Sequence, residues 1–237
     1  MSTIKFTKAT ANTLDKASRI SPLLKICKDE DYISTANEGM IMYAPIDFTT
    51  PREVNIFNVK QMLNTIALIK DPVIDFSDPA HVLVRNESGD KHTKIRDTLP
   101  EHVMTYVEKS RLPDVNDYDL FSVTISPEDF DTIMKAARVT SAKHVGFVIR
   151  DDTITFSSFN RSEDGALSDI FSIDLCENET GQNFQLFYRL SQNDITVLQG
   201  EGDLTFRIQD DMLLSVVETE TGKIFYIGFD TASEFDE

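Results

Sequence analysis

Phe130, Ile133, Met134 and Ala137 follow the i, i+3, i+4, i+7 spacing of one helical face, so the chain after Ser126 is predicted to be an amphipathic helix. Its start is chemically marked. The Ser126 hydroxyl can take an orphan amide, Pro127 is tolerated in a first turn, and Asp129 sits at the positive end of the helix dipole. Lys135 and Arg138 fall off the apolar stripe and point away from the core. Just before the cap, Val123 and Ile125 alternate with polar residues as in a half-buried strand.

The same order of signals occurs 119 residues earlier, an offset near half of the 237-residue chain. Ile4 falls on Val123, Phe6 on Ile125, Thr7 on Ser126, Leu14 on Ile133, Lys16 on Lys135, Arg19 on Arg138 and Ile20 on Val139. Each copy reads as strand, capping hydroxyl, amphipathic helix and basic pair. Short β-rich runs follow both helices: 23–27, 32–36 and 40–46 in the first half, 145–149 and 153–159 in the second. Polar breaks at 28–31, 37–39 and 151–152 predict hairpins of an antiparallel sheet. A weaker echo lies within each half. Asn58 can cap a helix carrying Met62, Ile66 and Ile69, and Ser191, with Asp194 three residues on, can cap one carrying Ile195 and Leu198. Four residues after the caps Thr7, Asn58, Ser126 and Ser191 stand Ala11, Met62, Phe130 and Ile195. Lys70 lies twelve residues after Asn58, as Arg19 and Arg138 lie after their own caps. Four copies of strand, helix and hairpins, an α+β fold, follow. The polar, turn-rich stretch 101–119 separates the halves, giving domains 1–108 and 120–237 joined by a connector at 109–119. The acidic tail 234–237 is expected to fray.

Composition narrows the class. Hydrophobic residues make up 41% with 16 Phe, enough for a core. Two cysteines, Cys27 and Cys176, make no disulfide framework and suit a reducing compartment. Residues 1–20 spread Lys5, Lys8, Asp15, Lys16 and Arg19 along their length, the pattern of neither signal peptide nor anchor, and no apolar run reaches a membrane span. A cytoplasmic protein with no membrane partner is expected. With 23 Lys and Arg against 40 Asp and Glu, the net charge of −17 speaks against a surface that binds nucleic acid all over. That charge is uneven. Residues 1–28 hold Lys5, Lys8, Lys16, Arg19, Lys25 and Lys28 against Asp15 alone, and 132–150 hold Lys135, Arg138, Lys143 and Arg150 with no acid.

Catalytic chemistry is not evident. His81, His92, His102 and His144 include no i, i+4 pair and none adjoins a cysteine. The nine glycines form no phosphate loop, since Gly200 and Gly202 lead into Asp203-Leu204, and no G-x-S-x-G elbow occurs. The acids of 114–128 lack the central glycine of a calcium loop and set Phe121 and Val123 among the would-be ligands. The sequons at Asn86, Asn160 and Asn178 mean little without a secretory signal. No enzyme activity, metal or cofactor is expected.

Two similar halves, each twice strand, helix and hairpins, with basic helices in an acidic chain, resemble the DNA sliding clamps. More narrowly, the sequence looks like the replication clamps of T4-like bacteriophages, clearest in 6–47 and 123–175. The most specific part is Phe159-Asn160-Arg161-Ser162-Glu163-Asp164-Gly165-Ala166-Leu167, followed by 172–175. The resemblance implies the DNA-clamp fold, with helices lining a ring, and a homotrimer that encircles duplex DNA irrespective of sequence. It implies tethering of the replicative DNA polymerase, opening by an ATP-dependent clamp loader, and residence in a host cell's cytoplasm. A ring holds DNA topologically, so its lining needs phosphate contacts on rigid helices without base readout. Lys16, Arg19, Lys135 and Arg138 are first choices for that lining, then Lys8, Lys70 and Lys143. The family's peptide pocket near the connector would involve Tyr106, Val107, Leu112 and Val115. The alternative is a non-ring protein-interaction module built from the same duplicated fold.

Overall fold

Helix stripes and strand alternation resolve into two compact units, residues Met1–Leu112 and Pro113–Glu237, in a computed structural model. The structure describes residues 3–116, 121–150, 152–179, 181, 183–190, 195–200, 202–208, 213–230 and 233–236.

The first unit runs β1 (Thr3–Lys5), α1 (Lys8–Ile20), β2 (Leu24–Ile26), β3 (Tyr32–Ala36), β4 (Met40–Pro45), β5 (Val54–Ile56), α2 (Val59–Ile66), β6 (Val73–Asp75), β7 (His81–Arg85) and β8 (His92–Arg96). Both helices begin where the caps predict: Thr10 N–H donates to Thr7 Oγ1 at 3.0 Å and Gln61 N–H to Asn58 Oδ1 at 2.8 Å. Met62 and Ile66 are buried on α2, as their spacing requires, whereas Ile69, expected on the same helix, is buried beyond its end at Ile66. β1, β6, β7 and β8 form an antiparallel sheet in that order, and β3 pairs with β4.

One predicted pairing is different. The runs 23–27 and 32–36 were expected to form a hairpin, yet β2 pairs with β5. Asp29 takes a left-handed conformation at φ 59°, Lys28 bridges Thr50, and Asp29 N–H donates to the Thr50 carbonyl at 2.9 Å. The break therefore turns β2 towards the segment before β5. A half-buried Arg52 fastens this corner, reaching Asp97, the His81 carbonyl at 3.1 Å and the Phe76 carbonyl at 3.3 Å. Local composition could not reveal partners so far along the chain.

The second unit runs β9 (Phe121–Ile125), α3 (Pro127–Thr140), β10 (His144–Arg150), β11 (Thr153–Arg161), β12 (Leu167–Glu177), β13 (Asn183–Arg189), a 3-10 turn (Ile195–Leu198), β14 (Leu204–Ile208), β15 (Leu213–Glu218), β16 (Lys223–Gly228) and β17 (Glu234–Asp236). One antiparallel sheet has the order β12-β11-β10-β13-β17, and β9, β14, β15 and β16 pair in succession. The phenylalanines cluster here. Phe130 of α3 stacks on Phe156 at 5.9 Å between ring centroids, and Phe147 meets Phe206 edge-on at 5.3 Å. On the other face of the same sheet Phe159, Phe187 and Val148 are buried together.

Two further expectations are corrected or bounded. The tail predicted to fray is β17, paired with β13 through Phe184–Phe235, because the strand next to the core leaves an edge that the tail can satisfy. The helix predicted from Ser191 is a four-residue 3-10 turn where it is described, with Ile195 and Leu198 buried. Ser191 and Asp194 lie outside the described residues. Unit 1 thus carries two α-helices, and the described part of unit 2 one.

Candidate nucleic-acid interface

The basic residues singled out above sit on α1, on α3 and just beyond the helix ends. α3 has Glu128 and Asp129 in its first turn and Arg138 in its last, so its charges complement the helix dipole at both ends. Ser126 caps it, accepting from Asp129 N–H at 3.1 Å. Phe130, Ile133, Met134 and Ala137 are buried while Lys135 and Arg138 are exposed, the division that the spacing predicts. Exposed Lys143 follows, its N–H donating to Asn160 Oδ1 at 3.0 Å. Asn160 is the second residue of the specific motif 159–167. That motif forms the β11–β12 hairpin: Ser162 N–H donates to the Ala166 carbonyl at 3.0 Å, with Gly165 at φ 87°.

α1 differs. Lys8 and Arg19 are exposed, but Lys16 is buried at 8% exposure, which corrects its assignment to an open lining face. α1 lies against α2, and Asp15 pairs with Lys60 of α2 at 2.5 Å. The first turn of α1 contains no acid of its own. Asp47 supplies the charge from after β4, accepting from Thr7 Oγ1 at 2.9 Å and Thr10 Oγ1 at 2.6 Å. Lys60 and Asp47 escaped the sequence reading. An exposed lysine next to an asparagine cap was the only signal for the first, and Asp47 acts across 40 residues. Lys70 is exposed after α2.

The four connector residues fall on different units. Tyr106 donates or accepts a 3.1 Å hydrogen bond with the Tyr32 hydroxyl, and Lys25 lies 5.5 Å from its ring centroid. Burial, with hydrogen bonds to Cys27 and Tyr32, pushes the Tyr106 phenol well above its usual range. The Val107 backbone is clasped by Ser34, whose hydroxyl donates to the Val107 carbonyl at 2.6 Å. Both residues fasten the chain to β3. Leu112 ends unit 1 half-buried, and Val115 belongs to unit 2, where its carbonyl accepts from Arg207 at 2.8 Å. Among the described residues no group of three or more His, Cys, Asp and Glu could hold a metal ion. No described helix is long and apolar enough to cross a membrane.

Comparison with known proteins places the fold. No family model matches the chain, and neither does any curated protein sequence. Solved structures do. The Caulobacter crescentus pol III beta structure superposes with a TM-score of 0.67 at 12% identity over 98% of this chain and 67% of its own. Proliferating Cellular Nuclear Antigen from Entamoeba histolytica gives a TM-score of 0.70 at 11% identity, covering 96% of this chain and 98% of that one. The A. fulgidus PCNA bound to the C-terminal region of FEN-1 gives 0.69 at 12% identity, covering 99% and 100%. The chain has the sliding-clamp fold, at nearly the length of a PCNA chain and two thirds that of the bacterial beta chain.

Proposed function

We propose that this chain is a sliding clamp, a non-catalytic ring that encircles duplex DNA and tethers a replicative polymerase. The supporting observation is the sliding-clamp fold over the whole chain with exposed cations on α1 and α3 in a protein of net charge −17. Lys8, Arg19, Lys135 and Arg138 are the proposed phosphate contacts, with Lys70 and Lys143 beside helix ends. Charges on helices can touch phosphates without reading bases, which lets the ring move along any sequence. The acidic remainder would repel DNA from other surfaces and favour threading.

A protomer of two units needs three copies to supply six, so the proposed ring is a homotrimer opened by an ATP-dependent loader. The 159–167 hairpin carries the proposed kinship with clamps of T4-like bacteriophages, acting in the host cytoplasm. Since Tyr106 and Val107 already hold the connector, Leu112 and Val115 are the side chains proposed to meet partner peptides.

Topology is the property to test. Loaded onto nicked circular DNA with its loader, the protein should stay bound through a high-salt wash and be lost once the circle is linearised. Equal retention on linear DNA with free ends would reject the clamp reading.

A further inference from the structure

The sheet β1-β6-β7-β8 of unit 1 turns one face to the core and one to solvent. Ile74, Val82 and Val84 are buried, and the residues that alternate with them point the other way. Register carries Lys5 of β1, Arg85 of β7 and His92 of β8 into one row across that second face, and Lys94 and Arg96 continue it along β8. The three residues of β8 and Lys5 are exposed, and Arg85 is half-buried. Asp75 is the only acid in the four strands. A basic sheet face in a chain of net charge −17 needs a reason.

The chain itself does not neutralise this face. Asp75 accepts from the Ser77 N–H at 2.9 Å, and Glu87 of the turn between β7 and β8 reaches Lys5 at 3.2 Å, an exposed pair of little strength. Among the described residues Arg85, Lys94 and Arg96 form no ion pair, and the Arg85 Nε has no hydrogen-bond partner. Half-buried Leu83 stands opposite Lys94 and lies among these cations. Alternate residues of a strand stand about 6.7 Å apart on one face, and an extended peptide repeats its own side chains at the same distance. His92, Lys94 and Arg96 thus match carboxylates at alternate positions of an extended segment, whose methylene stems Leu83 can cover. The four strands hold no Phe, Tyr or Trp on which bases could stack, and the acidic remainder of the chain disfavours a densely charged nucleic acid.

We propose that the solvent face of this sheet docks an extended acidic segment of a partner protein, one with Asp or Glu at alternate positions. The segment lies flat over β7 and β8, its carboxylates meeting Arg85, His92, Lys94 and Arg96 while its stems cover Leu83. Exposed charges make such a contact quick to form and sensitive to salt, since screening acts over about 8 Å at physiological ionic strength. The surface lies wholly within unit 1 and is separate from Leu112 and Val115, so it gives a partner a second hold on the chain. It does not rest on the clamp reading.

Fluorescence anisotropy on the full chain tests the surface with a labelled peptide of alternating Glu and Ser, its counterpart of alternating Gln and Ser, and a short oligodeoxythymidine. At low salt the Glu peptide should bind at least about tenfold more tightly than the Gln peptide, and its binding should weaken as salt rises. Arg85→Gln with Lys94→Gln should weaken it about fivefold, and Arg85→Lys with Lys94→Arg should keep most of it. Circular dichroism checks folding, and Lys94→Gln alone, at an exposed position, should weaken binding about twofold. Equal binding of the Glu and Gln peptides, or unchanged binding in the folded Gln variants, overturns the proposal. Oligodeoxythymidine held more tightly than the Glu peptide through Arg85 and Lys94 overturns it too, making the face a nucleic-acid surface. So does a peptide that ignores those two residues and is lost with Leu112→Ala and Val115→Ala, which moves it to the connector. Retention of the wild type on circular DNA is a separate readout, so the clamp reading stands or falls without this surface.

Discussion

Individual side chains decide more here than their types announce. His144 is buried at 7% exposure, stacked on Phe159 at 5.7 Å and edge-on to Phe187 at 5.1 Å. Burial, reinforced by Arg189 and by Arg161 and opposed by Asp230, holds its imidazole below the usual value of 6.5. A histidine with a depressed folded value takes up a proton on unfolding, so its contribution is complete above about pH 6.5 and is lost as the pH falls below that. Denaturation of the wild type should therefore show stability falling from pH 7 towards pH 5, and His144→Phe should flatten part of that fall. An unchanged slope would show that other groups carry it. Lys16 teaches the same lesson from the opposite side. By sequence it is the twin of Lys135, but it is buried where Lys135 is exposed.

At the scale of elements, caps and stripes were legible because they are local. Thr7, Asn58 and Ser126 each cap the helix they were expected to start. Pairings were legible only where the partner was next in the chain, as with β3 and β4 or β10 and β11. Gly146 shows what local reading misses. A Cβ there would stand 2.0 Å from the Leu186 carbonyl oxygen and 2.5 Å from Phe187 Cα, so β13 runs too close to β10 for any side chain. Gly146→Ala must push the two strands apart. It should cost about 3 kcal/mol, visible as a large drop in melting temperature, whereas Gly89, with nothing near its would-be Cβ but φ at 77°, should tolerate alanine for about 1 kcal/mol.

For the whole molecule, the charge pattern bears the functional weight. Replacing Lys8, Arg19, Lys135 and Arg138 by alanine should leave the fold and the assembled mass unchanged. Residence on circular DNA should shorten and its dependence on salt become shallower, because fewer counterions are released per contact. Retention that is unaltered at every salt concentration would remove these four from the lining. Lys16→Ala belongs outside that set, since its first effect should be on thermal stability.

Periodicity and capping residues alone determined where three of the chain's helices begin and which faces they bury. Those features are short-range, encoded by residues within a turn or two of one another. Tertiary structure decided what depends on partners distant in sequence: the delivery of β2 to β5, the tail strand on β13, the burial of Lys16 and the Asp47 charge at the start of α1. A strand's composition states that it can pair. Only the packed chain decides with which strand it does so.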